Sequence, residues 1–246
     1  MIPYFEQPHL GPIHAFGALV VCAIYFGSNI LERRAARYGI FAKTVQQFVT
    51  WIMVGGFIGA HLIDRFVYFP KETLRDPLTI LKVWQGISSF GGFLGGTIGG
   101  VMFFRMRLRE GTPWQLTDCF AYAFPFGWIF GRLGCFTAFD HPGSPTHFFL
   151  GQHDANGIVR HNLGFEEALY SILIALIFAA LGRRQRFTGF YLALFLILYT
   201  PFRFAVDFLR VVDVRYFGFT PGQYGCVALF IVGVVLLIVR ARAVDE

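Results

Sequence analysis

The sequence predicts an all-α protein, a single bundle of seven membrane-spanning helices with its N-terminus outside and its C-terminus in the cytoplasm. Three observations carry this. Hydrophobic residues fill 55% of the 246 positions and charged residues only 15%, against about 25% charged in soluble domains. Mean hydropathy is +0.56, and several apolar runs approach the roughly 20 residues that cross a bilayer. Basic residues gather in alternate short turns, the bias that marks cytoplasmic loops. The same clustering turns the net charge of +6 away from a nucleic-acid reading.

The spans follow in order. The first runs from Pro12 to Leu31 and ends at Glu32-Arg33-Arg34. The second runs from Val45 to Phe69, where Pro70 stops it, and the third from Gly86 to Arg105-Met106-Arg107. The fourth opens at Thr112-Pro113-Trp114, a cap with proline at the first helical position, and reaches Phe136. The fifth runs from Phe165 to Leu181, the sixth from Thr188 to Val206, and the seventh from Gly222 to Val239. No polar stretch is long enough for a second domain, so residues 1–246 read as one transmembrane domain, with an outward loop region at 137–164. Met1 to Gly11 has no basic n-region, so no cleaved signal peptide is expected.

Orientation comes from the turns. Arg33, Arg34, Arg37 and Lys43 follow span one, Arg105, Arg107 and Arg109 follow span three, and Arg183, Arg184 and Arg186 follow span five. With these turns inside, the polar ends of spans two, four and six reach the outer face. They carry His61, Asp64 and Arg65, then Arg132, then Arg203, Asp207 and Arg210. His14, Ser88-Ser89, His161 and Glu166-Glu167 start the returning spans at the same level.

Arg132 lies between two glycines in Gly131-Arg132-Leu133-Gly134-Cys135-Phe136. Arginine is costly in lipid, and its planar fork suits phosphate; the other reading is an interfacial arginine snorkelling to head groups. Arg203 and Asp207 are four apart, on one helical face. They fit a second anion contact with its orienting carboxylate, or a simple ion pair closing the helix end. Tyr199 and Pro201 upstream suggest a bend there. His61, Asp64 and Arg65 share a face, which makes His61 a candidate general base or a merely hydrogen-bonded histidine. Gly91-Gly92, Gly95-Gly96 and Gly99-Gly100 repeat every fourth position, the spacing for close helix packing in membranes, with a substrate groove along the glycines as the other reading. The 137–164 loop holds Asp140, His141, His147, His153, Asp154 and His161 without tight ligand spacing, and reads as a cover over a site. The four cysteines show no CxxC or Cys/His pattern, so neither zinc nor a disulfide scaffold is expected. Span seven has no lysine, which excludes a retinal Schiff base.

The residues resemble the bacterial prolipoprotein diacylglyceryl transferase family through most of the chain. Trp84-Gln85-Gly86-Ile87-Ser88-Ser89-Phe90-Gly91-Gly92 looks like its tryptophan-to-Ser-Phe-His-Gly-Gly segment. Gly131 to Phe136 and on to Asp140 looks like its Gly-Arg-hydrophobic-Gly-Asn-Phe signature ending in glutamate. His161 through Glu167-Ala168-Leu169 is similar to its His-Pro-x-Gln-x-Tyr-Glu-Ala-Leu segment. Tyr199, Arg203-Phe204 and Asp207 to Arg210 resemble its Arg-Phe-x-x-Glu-x-x-Arg, and Gly222-Gln223 its last-span Gly-Gln.

The resemblance implies transfer of a diacylglyceryl group from phosphatidylglycerol to a lipobox cysteine thiol of a prolipoprotein signal peptide. The place would be the outer face of the bacterial inner membrane, with no metal or soluble cofactor. It makes Arg132 and Arg203 the phosphate clamp and Asp140 and Asp207 their orienting groups; His61, read from this chain itself, is the candidate base. Ser88, Gly91, Gly92, Cys135 and Glu167 would contact the lipid head group. In this chain Phe90 stands where the family has histidine, Cys135 where it has asparagine, Phe16 for a tyrosine and His61 for an arginine. Asp140 and Asp207 replace glutamates. These departures leave two other expectations open: a related transferase with another acceptor, or a lipid-binding relative without catalysis.

Overall fold

The computed structural model describes residues 1–11, 13–81, 88–211 and 215–245, with only the backbone described for Ile13, Tyr68, Ser89, Phe90 and 243–245. Trp84 to Ile87, part of the first matching segment, and the Phe90 side chain therefore lie outside the described residues.

The chain is mostly helical. Two short strands, β1 (His9–Leu10) and β2 (Ile13–His14), lead into α1 (Ala15–Ala35). α2 (Ala42–Ile63) continues as a π-helical turn, Asp64–Tyr68, before the short α3 (Pro70–Arg75). α4 (Ser89–Met106) and α5 (Pro113–Ala138) follow. Next come strands β3 (Pro142–Pro145), β4 (Gln152–His153) and β5 (Val159–Asn162), and then α6 (Leu163–Leu181), α7 (Phe190–Asp207) and α8 (Pro221–Asp245). Among the described residues, five helical segments, 15–38, 42–67, 163–181, 190–207 and 221–242, are long and apolar enough to cross a membrane. α5 is 26 residues long but interrupts its apolar run with Thr117, Asp118, Tyr122 and Arg132, and it falls outside that set.

The chain divides into two compact units. The first comprises Met1–Arg34 and Thr117–Glu246. At one end of it, buried Arg34 stacks on the rings of Tyr122 and Tyr191 at 4.4 and 4.8 Å and donates to the Gly182 carbonyl. Asp118 accepts the backbone N–H groups of Tyr191 and Leu192, at 2.7 and 3.1 Å. Those are first-turn donors that α7 cannot satisfy internally, and its N-cap, Gly189, offers no side chain. Arg240 donates to Thr188 O at the same end. Helices α1, α6 and α8 therefore finish where α5 and α7 begin, so neighbours in sequence run antiparallel. The core between them is aromatic: Phe178 and Tyr191 are fully buried and Tyr122, Phe126 and Phe195 pack on them.

The opposite end carries the three-stranded antiparallel sheet, in the order β3-β5-β4. The sequence expectation for 137–164 was a loop. These strands are two to four residues long, too short for hydrophobic alternation to show in sequence. Buried Asn162 ties the sheet to the helices: it caps α6 by accepting Phe165 N–H and donates to Gln152 and to Phe136 O. Ile2 pairs with Gln152 along the free edge, and Ser144 donates to Leu209 O just beyond α7.

The second unit is Ala35–Leu116. Its centre is the antiparallel pair α2 and α4, joined through glycines on both sides. A Cβ on Gly95 would run into Gly55 O and lie 2.8 Å from Gly59 Cα; one on Gly99 would run into Trp51 O. The spacing singled out Gly91, Gly95 and Gly99; the matching face is Gly55 and Gly59 on α2. Without side chains at the seam the backbones approach closely enough for dispersion and Cα–H···O contacts to hold the pair.

Candidate functional site

At the sheet-bearing end of the first unit, α5, α6 and α7 each deliver a charged residue to one place. Glu167, one turn into α6, is 2% exposed. Arg132, near the end of α5, brings Nε to 3.0 Å from Glu167 Oε2. Arg203 of α7 has Nη1 3.6 Å from Glu167 Oε1 and Nη2 2.8 Å from Asp207 Oδ1. Arg210 adds Nη1 at 3.8 Å from the same Asp207 oxygen. Glu167 is thus shared by two arginines, and Asp207 by two.

Neutral groups fix these carboxylates. Tyr199 donates its hydroxyl hydrogen to Glu167 Oε2 at 2.8 Å, and the Trp128 indole N–H donates to Tyr199 Oη at 3.1 Å. The Arg132 guanidinium lies over the Trp128 ring at 4.4 Å. Thr220 donates to Asp207 Oδ2, Gln223 accepts Thr220 N–H through its side-chain oxygen at 2.9 Å, and its amide donates to Phe204 O. A side chain on Gly222 would lie 3.3 Å from Asp207 Oδ2, so the Gly-Gln pair that opens α8 leaves room for that carboxylate and then holds the turn beside it.

The burial is asymmetric. The side chains of Glu167 and Asp207 are each 2% exposed, while Arg132, Arg203 and Arg210 keep 13%, 19% and 25%. Arg132 Nε and Arg203 Nη1 are buried without a hydrogen-bond partner. Both lie at ion-pair distance from Glu167, so charge holds them while their N–H groups point elsewhere. Arg132 and Arg203 share the single Glu167 carboxylate. A phosphodiester carries one negative charge, and guanidinium forks are its natural receptor.

Other sequence candidates sit differently. Asp140 does not reach Arg132 but meets the His141 imidazole, with Oδ1 to Nδ1 at 2.5 Å. Cys135 Sγ lies 3.9 Å from Arg132 Nη1. In the second unit, buried His61 has Nε2 2.9 Å from Ile80 O, while its Nδ1 is buried with no hydrogen-bond partner. Asp64 pairs with Arg65 at 3.1 Å. Ser88 is the N-cap of α4, accepting Gly91 N–H at 3.3 Å. Gly91 packs against Gly59 and Ile63, and Gly92 has only Ala60 and Gly56 nearby, at 3.8 Å or more. Sequence reasoning did not single out Trp128, Thr220 or the Gln223 side chain as site residues. Trp128 was within reach, since it precedes Arg132 by four positions and so shares its helical face; the Thr220–Asp207 contact joins two helices and leaves no local signal.

Residues 6–239 match the family model described as prolipoprotein diacylglyceryl transferase. Proteins with the name phosphatidylglycerol–prolipoprotein diacylglyceryl transferase are similar over nearly the full length. The one from Nitratidesulfovibrio vulgaris is 32% identical over 251 residues, covering 96% of this chain and 93% of that one. Those of Polynucleobacter asymbioticus and Tolumonas auensis are 30% and 28% identical, over 92% and 95% of this chain and 90% and 94% of their own.

Proposed function

Since the chain belongs to the prolipoprotein diacylglyceryl transferase family and is a membrane transferase, we propose that it moves a diacylglyceryl group from phosphatidylglycerol to the thiol of a lipobox cysteine. The observation that carries this is the Arg132–Glu167–Arg203 cluster, in which two arginines share one buried carboxylate. In the reaction the cysteine sulfur bonds to the terminal glycerol carbon of the diacylglyceryl group. The bond from that carbon to the phosphate oxygen breaks, and glycerol phosphate departs. The phosphate gains a negative charge as it leaves. Arginines already fixed by buried carboxylates meet that charge without reorganising, the usual source of transition-state stabilisation. The thiol must lose its proton to become the nucleophile. His61 is the base in this reading. Its Nε2 lies 2.9 Å from the Ile80 carbonyl oxygen, and its Nδ1 is buried without a hydrogen-bond partner.

The topology in this reading has seven spans, α4 and α5 included, with the N-terminus and the arginine cluster on the outer side of the inner membrane. Arg33, Arg34, Arg183, Arg184, Arg186, Arg240 and Arg242 lie toward the other end of the first unit, the sign bias of a cytoplasmic face. The test is direct. Purified protein is incubated with phosphatidylglycerol and a lipobox peptide, and the diacylglyceryl adduct is followed by mass spectrometry. Arg132→Ala should remove most of the transfer; undiminished transfer by that variant sinks the assignment.

A further inference from the structure

Cys135, Asp140 and His141 each place one ligand atom within 4.8 Å of the other two. Their spacing in sequence gives no sign of this. The cause is Phe139, which takes the left-handed conformation at φ 49°. That is a strained choice for a residue with a side chain, and it ends α5 by reversing the chain over its last turn. Asp140 and His141 are thereby folded back toward Cys135, one turn inside the helix. The reversal is held at both ends: Phe139 N–H bonds to Phe136 O, and His141 O accepts Leu163 N–H from the start of α6.

We propose that these three side chains bind a thiophilic divalent cation, zinc by the chemistry of the donor set. Thiolate, imidazole and carboxylate are the ligand types zinc takes, and thiolate with imidazole disfavours magnesium and calcium. A thiolate and a carboxylate together cancel the charge of the ion, so the neighbouring Arg132 faces a neutral site. Tetrahedral zinc with bonds of about 2.0–2.3 Å sets its ligand atoms about 3.5 Å apart. The present group needs a movement of about 1 Å to close on that geometry. Its outer members can make it, because the His141 and Asp140 side chains are 24% and 39% exposed. The direct Asp140–His141 contact would open, the ion taking its place. Three protein donors leave a fourth position for water or an anion, as in zinc sites that act rather than merely staple. The site stands whether or not Arg132 holds a lipid phosphate.

The experiment uses the full-length protein in detergent, stripped with chelator and reloaded with zinc or cobalt alone. Elemental analysis should find about one zinc per chain. Cobalt should give the sulfur-to-metal charge-transfer band and the intense visible bands of tetrahedral coordination. Cys135→Ser should abolish the charge-transfer band, and His141→Gln the stoichiometric zinc. Asp140→Asn should weaken binding by more than about 10- to 100-fold, the range for groups that only support a ligand. Cys119→Ser and Cys226→Ser should bind as the parent does. Unaltered protein that takes up no stoichiometric zinc and shows no charge-transfer band overturns the proposal, and that arm needs no variant to fold. A band that persists in Cys135→Ser overturns it equally.

Discussion

Replacing Glu167 by glutamine keeps the shape of the side chain and removes its charge, at the one position where two arginines and a tyrosine converge. An amide oxygen can still accept from Tyr199, so that hydrogen bond survives but loses its charge assistance. A hydrogen bond to a charged group contributes about 1.5–3 kcal/mol and a neutral one about 0.5–1.5, a loss of about 1 kcal/mol at the 2.8 Å contact to Tyr199. Losing the ion pair at 3.0 Å to Arg132 costs about 1 kcal/mol more, together about 2 kcal/mol and close to a 30-fold fall in kcat/KM. Arg203, at 3.6 Å, adds to this, because its guanidinium must then be held by Asp207 alone. The opposing effect is that one more uncompensated positive charge attracts phosphatidylglycerol. The fall should therefore appear in kcat, with KM for the lipid unchanged or lower. Glu167→Ala should fall further, since Tyr199 then loses its acceptor altogether. The assay is lipid saturation with a fixed lipobox peptide, on protein shown by circular dichroism to retain its helix content. A Glu167→Gln enzyme within twofold of the parent in kcat/KM would refute the idea that this carboxylate positions the arginines.

Three further outcomes are expected. Gly95→Ala should destabilise the α2–α4 pair by about 1–3 kcal/mol, the usual cost of overpacking, because its new methyl meets only backbone. Gly100→Ala should be tolerated, its nearest neighbour being the Phe48 ring at 3.6 Å; thermal unfolding of the two variants in detergent checks the contrast. Asp118→Ala should lower stability by about 1–2 kcal/mol by removing the remote cap of α7, read in the same melts. In the outward turn, Asp154 is held below the ordinary carboxylate range, first by its hydrogen bond from Arg160 and then by the N–H groups of Ile158 and Asn156. A depressed folded pKa stabilises above the unfolded value and loses that contribution as pH falls through the folded one. Amide protection at Asn156 and Ile158 should therefore drop only on acidification below the ordinary carboxylate range, and Asp154→Asn should abolish the pH dependence.

The long helices were legible because each is a run of apolar residues bounded by proline, glycine or a basic turn. α5 shows this well: Pro113 and Trp114 mark its start, and its end falls two residues from the expected Phe136. The glycine repeat of α4 was legible for the same reason, since a period of four needs no partner to be seen. What escaped is what depends on partners. Nothing near Asp118 announces that it caps a helix more than 70 residues later, and nothing near Glu167 says that two arginines share it. The sheet escaped because strands of two to four residues have no period. Cys135, Asp140 and His141 escaped because a phenylalanine at positive φ, which composition disfavours, folds them together.

The burial pattern explains why the arginines rather than the carboxylates read as the reacting groups. A buried charge is retained only when paired, because its desolvation costs several kcal/mol. Glu167 and Asp207 are the deep members here, held by Tyr199 and Thr220. The guanidiniums of Arg132 and Arg203 are the shallower members, with 13% and 19% of their side chains exposed. On the proposed reading an anion meets these two side chains, and when glycerol phosphate leaves with its added charge the same carboxylates limit how tightly it is held. A site of arginines alone would bind the product more strongly than the substrate and turn over slowly. Replacing Asp207 by asparagine tests this: it should slow product release more than the chemical step, so that a burst of one adduct per enzyme precedes a slower steady state, and a linear time course would count against it.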